Sequence, residues 1–407
     1  LKHPWSGLKN IPRNIWLLSI GTLINRTGMM VLPFIALYCV EELNVGVAES
    51  GLVLASFGIG AFVSAPFAGK LSDKIGSARL MMISLGLSGT FLFFYSLVDD
   101  FLLFLILSFF WAIISEAFRP ASLSFISSQI SGDRRKTAFA VYRLAINVGM
   151  SIGPVLGGIL STIDFSLLFY FDGATSIAAC LFLIFSGMKE SSLQPETVTE
   201  TDETPASKKI SVFKNRLFIY FLLALIPVDI VFFQHIGALP LFVVGELEFS
   251  KSMFGILMAI NTVLVIIVEV PLNDAMRNWK HWKALALGAL LAGIGFGILI
   301  FAEEIFLLVF SVVIWTFGEM ILFPAAGDYV AEISPAEKRG EYMGYFQMTF
   351  SASLILGPLF GNKVLDDFGS TILWGGALLL GLISALMMTV LRNRKSTILK
   401  VKDDSNQ

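Results

Sequence analysis

Twelve long apolar runs follow one another along the chain, at 15–40, 48–69, 80–97, 101–126, 137–160, 166–188, 217–244, 253–271, 284–301, 305–330, 342–360 and 372–391. A helix that crosses a bilayer needs about 20 predominantly apolar residues. Each run predicts one such helix, and those nearer 25 residues predict tilt. The stretch between the sixth and seventh runs differs in kind. Residues 190–206, ESSLQPETVTETDETPA, are acidic, polar and without apolar periodicity, which predicts a disordered linker. The pattern therefore divides the chain into a bundle at 1–188, a connecting loop at 189–215, and a second bundle with a tail at 216–407. The basic stretch 208–216, with Ile210, Val212 and Phe213, reads either as a short amphipathic piece on the membrane surface or as a solvated loop end.

The two groups of six are related. Trp111, Pro120, Arg135, Gly153, Pro154 and Gly157 are each followed, 204 residues later, by Trp315, Pro324, Arg339, Gly357, Pro358 and Gly361. Six matches in one ungapped register mark a duplicated unit, and many secondary transporters are built from such repeats. The predicted fold is an all-α integral membrane protein, with twelve transmembrane helices in two pseudo-symmetric six-helix bundles.

Composition agrees with the pattern. The 407 residues are 56% hydrophobic and 15% charged, against about 45–50% and about 25% for a soluble domain. The formal net charge of −2 conceals a strong sorting of its 29 Lys and Arg. With the amino terminus inside, the basic loop clusters around Lys70–Arg79, Arg134–Lys136, Lys208–Arg216, Arg277–Lys283, Lys338–Arg339 and Arg392–Lys402 all face the cytoplasm. Only Lys251 and Lys363 then lie outside, among the acidic or neutral loops. The positive-inside rule thus predicts a multi-pass protein of a plasma or bacterial inner membrane with both termini cytoplasmic. The first run is too long for a signal peptide and lacks a small-residue cleavage site. Cys39 and Cys180 both fall within apolar runs, predicting buried thiols and not a disulfide framework.

Two motifs carry a family resemblance. The fifth run contains Gly149-x3-Gly153-Pro154-x2-Gly157-Gly158, in which small residues four apart allow close helix approach and the proline bends the helix. After the second run comes Gly69-Lys70-Leu71-Ser72-Asp73-Lys74-Ile75-Gly76, followed by Arg79. The chain resembles the major facilitator superfamily, whose signatures at these places are Gly-x3-Gly-Pro-x2-Gly-Gly and Gly-x-Leu-x-Asp-Arg-x-Gly-Arg-Lys. The first is matched in full. The second departs at Lys74, Ser77 and Ala78. The resemblance covers nearly the whole chain and implies two bundles that rock between inward-open and outward-open states. It also implies, for members with the full fifth-helix motif, export of drugs against protons. By position, Gly69, Asp73, Gly76 and Arg79 would gate at the cytoplasmic face, with Gly149, Gly153, Pro154, Gly157 and Gly158 shaping the fifth helix; for Asp73 a solvated loop residue is the alternative.

Ionisable residues well inside the runs are costly, at about 2.5–3.5 kcal/mol each even on insertion scales, and so point to function. They are Arg26, Glu116, Arg119, Arg143, Asp172, Asp229, His235, Glu269 and Glu319. Six of these nine lie on runs one, four, seven and ten, the helices that line the cavity in the family. Counted at about 1.5 Å per residue, Arg26 and Glu116 both fall near mid-membrane. They are predicted to pair, with Arg119 three residues from Glu116 on the same face and Arg143 nearby. Such a cluster serves either transport or the stability of the bundle.

Glu116, Glu319 and Asp229 are the proton-coupling candidates, and Arg26, Arg119, Arg143, Asn147, Gln234 and His235 the candidates for substrate or charge network. The dispersed histidines, the absence of metal-ligand spacing and the lack of a phosphate loop or nucleophile–base pair give no support to an enzyme, metal site, cofactor or nucleic-acid partner. The expected activity is proton-coupled efflux of a small amphipathic compound by a monomer, with protons and the lipid bilayer as its other partners. Many drug antiporters of the family carry an acid in mid-helix one, where this chain has Asn25 and Arg26. The alternative is uptake or exchange of an anionic or zwitterionic solute, drawn by the excess positive charge of Arg26, Arg119 and Arg143.

Overall fold

The computed structural model describes residues 11–130, 133–188, 212–335 and 338–393, and among them every regular element is helical. Segments two, three, five and six are single helices: α3 (Val47–Ile75), α4 (Ser77–Tyr95), α7 (Asp133–Ile163) and α8 (Ser166–Phe185). So are eight to twelve: α11 (Lys251–Ala275), α12 (His281–Ile298), α13 (Ile305–Ile333), α14 (Arg339–Phe368) and α15 (Ser370–Val390). Eleven spans among the described residues are long and apolar enough to cross a membrane. The remaining helix, α14, has the length at 30 residues, but Gln347, Thr349, Ser351 and Ser353 speckle its middle with polar groups. The predicted linker at 190–206 lies outside the described residues. Of the basic stretch after it, Val212–Lys214 forms one 3-10 turn before Asn215 caps the next helix, its side chain accepting from the Phe218 amide at 3.2 Å.

Segments one, four and seven, each predicted as one helix, are interrupted. Segment one is α1 (Arg13–Thr27) and α2 (Val31–Glu41), and segment four is α5 (Phe101–Glu116) and α6 (Phe118–Gln129). Segment seven is α9 (Arg216–Phe232), a 3-10 turn at Phe233–His235, the single turn α10 (Ala238–Pro240) and a π-helical stretch, Leu241–Glu246. One cause covers all three. The helix that resumes has proline as its third residue: Pro33 in α2, Pro120 in α6 and Pro240 in α10. A proline in the first turn gives up an amide that would have no partner anyway, but it cannot bond the carbonyl four residues earlier and its ring pushes against it. Those carbonyls belong to Met29, Glu116 and Ile236, where the helices part.

The chain forms two compact units. One gathers the described residues of Leu1–Thr199 with those of Pro240–Ile266; the other holds the described parts of Glu200–Leu239 and Ile267–Gln407. Each has its own apolar core, around Leu18, Met81, Leu85, Phe118, Phe125 and Leu183 in the first and Phe218, Phe221, Leu225, Leu285, Leu322 and Met388 in the second. Glycines set the crossings. Gly89 of α4 meets Gly173 of α8, and Gly293 of α12, 204 residues after Gly89, meets Gly381 of α15. A side chain at any of these would collide with backbone at 2.4–2.8 Å. Within lipid such close approach supplies packing that the hydrophobic effect cannot.

The second-segment motif is not a loop. Residues 69–75 are the last turns of α3, and the chain turns into α4 at Gly76, whose φ of +93° suits glycine alone among common residues. Ser72 and Ser77 hydroxyls meet across this joint at 2.8 Å, and Ser77 continues to Ser124 of α6 at 3.2 Å. The Asp73 side chain lies outside the described residues.

At the start of α11, Lys251 makes a 2.6 Å ion pair with Glu41 at the end of α2, donates to the Ser161 carbonyl at 3.3 Å, and sits 4.1 Å over the Phe165 ring. Beneath it α11 lies directly on α7. A side chain at Gly158 would meet the Lys251 carbonyl at 2.6 Å, and one at Gly255 the Pro154 carbonyl at 2.2 Å.

Candidate functional site

The interruption of segment one is held from two sides within the first unit. On one side are the glycines of α7: a Cβ on Gly149 would lie 2.4 Å from the Arg26 Cβ, on Gly153 2.9 Å from the Met29 carbonyl, and on Gly157 2.8 Å from the Met30 Cβ. No larger residue leaves room for an interrupted backbone there. On the other side is a polar stripe of α8, spaced i, i+3, i+4 so that it lies on one face. Asp172 accepts from the Val31 amide at 3.4 Å, Thr175 abuts Gly28, and Ser176 accepts from the Asn25 side chain at 3.0 Å. The glycine motif and α8 thus form the two walls of a cradle for residues 25–31.

Arg26 enters a cavity of about 50 Å³ behind this interruption, with room for a few water molecules. Its other ionisable lining residues are Glu116 and Asp172, with Ser84 and Ser88 of α4 and Trp111 of α5 as polar neighbours. Trp111 donates its indole N–H to the Ser88 hydroxyl at 3.1 Å, and Ser84 donates to the Ile114 carbonyl at 2.7 Å. The Arg26 guanidinium reaches the Met29 sulfur at 2.8 Å, while its Nε is buried without a partner. Asp172 is 6% exposed and lies within electrostatic reach of Arg26.

The predicted cluster is thereby revised. Arg26 and Glu116 do share the cavity, but among the described residues no ion pair joins them. Arg119 and Arg143 are exposed and do not line it. Glu116 is half-buried and lines the cavity, whereas Arg119, three residues on, is exposed. Neither Glu116 nor Asp172 is within ion-pair distance of Arg26, and what sets Asp172 apart is its bond to the Val31 amide. Asp172 is among the ionisable residues inside the runs, and its signal is the Asp172–Ser176 pair of polar groups four apart on an otherwise apolar helix. Asn147, two residues ahead of Gly149 on α7, is half-buried.

The other candidates belong to the second unit. Asp229 is fully buried in α9 beside the Thr349 side chain of α14, whose hydroxyl donates to the Phe346 carbonyl at 2.8 Å. Glu319 is half-buried on α13. Gln234 is buried in the interruption of segment seven and donates to the Ile230 and Gly357 carbonyls at 3.0 and 2.8 Å. The His235 Nδ1 faces the Phe232 carbonyl at 2.6 Å, and its ring lies 4.6 Å from Phe232 and 6.1 Å from Trp315. The second glycine motif repeats the cradle: Gly357 backs Phe233, Gly361 backs the Gln234 side chain, and Pro358 with Asn362 abuts Gly237. Of the cytoplasmic-face candidates, Gly69 has open space beside it and Arg79 is exposed on α4.

The family model of the Major Facilitator Superfamily matches residues 18–293 and 231–406. Among curated relatives, a "Multidrug resistance protein 1" of Bacillus subtilis is 27% identical over 336 residues, covering 80% of this chain and 83% of that one. A "Na(+), Li(+), K(+)/H(+) antiporter" of Planococcus maritimus is 23% identical over 368 residues, covering 83% and 85%. Among solved structures, a POT family transporter in complex with a thioalcohol-conjugated peptide superposes with a TM-score of 0.76 at 15% identity, over 95% of this chain and 97% of that one. At that identity the likeness is one of fold.

Proposed function

The chain belongs to the Major Facilitator Superfamily, and we propose that it is a proton-coupled antiporter that exports a small amphipathic compound by alternating access. It is a multi-pass membrane transporter. The observation that carries the reading is the charge count of the cavity in the first unit, one guanidinium against two carboxyls. Arg26 balances one of them. The other is an acid without a counter-charge in a bilayer interior, where a bare charge is expensive, and one proton restores neutrality. A group that must gain a proton to be stable in one state, and can lose it in another, is what coupling requires.

The similarity to a drug-resistance protein and to a cation/proton antiporter favours export against protons. Uptake or exchange of an anion is the weaker reading, since Asp172 removes the excess of positive charge in the cavity on which it drew. We place the protein in a bacterial inner membrane as a monomer, with bundles at 1–188 and 216–407 and both termini in the cytoplasm. Glu116 is the first proton carrier proposed, with Glu319 and Asp229 as further ones in the second unit.

The test uses the full chain in proteoliposomes with a panel of cationic, neutral and anionic amphipathic dyes. An imposed pH gradient is expected to drive at least one cationic or neutral dye against its own gradient. Glu116→Gln, which keeps shape and hydrogen bonding but cannot ionise, should abolish that movement and leave counterflow exchange intact. Gradient-driven movement of anionic dyes alone, or an unchanged Glu116→Gln variant, overturns the proposal.

A further inference from the structure

Asp172 does two jobs at one place. Its carboxylate accepts the Val31 amide at 3.4 Å, with the Met30 amide adjoining, at the first turn of α2. It also lines one small cavity with Arg26, the last charged residue of α1 before the interruption. A carboxylate at a helix amino terminus satisfies an orphan amide and complements the helix dipole. One at a buried guanidinium supplies its counter-charge. We propose that Asp172 is the proton-linked positioning residue of segment one: ionised, it holds α2 and Arg26 in their present relation, and on taking up a proton it releases both.

The surroundings leave Asp172 as the group that can do this. From α1 it is faced by Arg26; across the cavity stands Glu116 of α5. α4 offers only the hydroxyls of Ser84 and Ser88, α2 its backbone amides, and α7 its glycine wall. Within α8, Thr175 donates to the Asp172 carbonyl at 3.0 Å and Ser176 is engaged by Asn25. Among the described residues neither carboxylate makes an ion pair with Arg26, and Asp172 is the one that bonds the α2 backbone. A proton passed through cavity water from Glu116 to the Asp172 carboxylate converts an acceptor-only group into one that also donates, and leaves the ionised Glu116 to balance Arg26. The segment is free to move because glycine lines its other wall and presents no side-chain lock.

This inference rests on proton coupling only for its place in transport; its structural core is tested without transport. Amide exchange across residues 29–34 is measured on the full chain in nanodiscs at pH 5.5 and 8, corrected for the intrinsic pH dependence of exchange. Wild type should lose protection there by about tenfold on acidification, the order expected when a cap is lost. Asp172→Asn keeps an acceptor for Val31 but cannot ionise, so its protection should be the same at both pH values. Asp172→Ala should lose the protection at both. Wild-type pH dependence persisting in Asp172→Asn, or full protection in Asp172→Ala, overturns the inference. Should wild type fail to couple dye movement to a pH gradient while the exchange pattern holds, the transport proposal falls and this one stands.

Discussion

Replacing Gly149 by alanine adds one methyl group at the tightest point of the cradle. The new carbon would lie 2.4 Å from the Arg26 Cβ, 2.9 Å from the Arg26 carbonyl carbon and 3.0 Å from the Thr27 nitrogen. Unstrained carbon contacts are about 3.5–4.0 Å, so the walls must part by roughly 1 Å. Two of the three contacts are backbone and cannot rotate away. Overpacking of this kind costs about 1–3 kcal/mol, against which the better helix propensity of alanine returns at most about 1 kcal/mol. Gly69 provides the comparison: it lies in α3 with nothing within 4 Å of its would-be Cβ, so the same substitution there gains the propensity and meets no clash. Thermal unfolding of the purified protein in one detergent reads both. For a body of about 200 residues each kcal/mol moves the midpoint by about 2–4 °C, so Gly149→Ala should melt below wild type and Gly69→Ala at or above it. A Gly149→Ala protein that melts with Gly69→Ala would refute the cradle.

Lys251→Met should lower the midpoint by the equivalent of about 1 kcal/mol, through loss of a partly exposed ion pair with Glu41 and of the Phe165 ring contact; a Glu41→Gln change added to it should cost little more, and full additivity in the melting curves would refute the pairing. For topology, single cysteines placed within 190–206 should resist a membrane-impermeant maleimide added to intact cells and react after permeabilisation, whereas labelling of intact cells would reverse the assigned orientation.

The all-helical membrane fold, with eleven apolar spans among the described residues, and its two halves were legible because lipid demands long apolar runs and because a 204-residue register needs no structure to be seen. The interruptions were not. Composition is blind to them: Gly28, Met29 and Met30 are as apolar as the helices on either side, and Pro240 shares its run with Pro227 of α9, which leaves the helix continuous. What would have located them is proline with a small or flexible neighbour about four residues upstream and a glycine stripe elsewhere to receive the freed backbone. The charge site failed for a related reason. Depth counts treat helices as straight and upright rods, whereas the interruption after Thr27 sets the amino terminus of α2 against Asp172.

The two cradles share geometry but not charge. In the first unit the interrupted segment is tied by a carboxylate and a guanidinium; in the second the corresponding tie is the neutral amide of Gln234, bonded to two carbonyls. The bend and its glycine bed recur in both units, but a carboxylate meets the freed backbone in the first and an amide in the second. A chain with two identical joints would yield equally at both when the pH changes and would have no preferred order of events. With a carboxylate on the backbone of one joint and an amide on that of the other, the two halves of a duplicated chain are held by different chemistry at matching places, a difference that their symmetry alone could not supply.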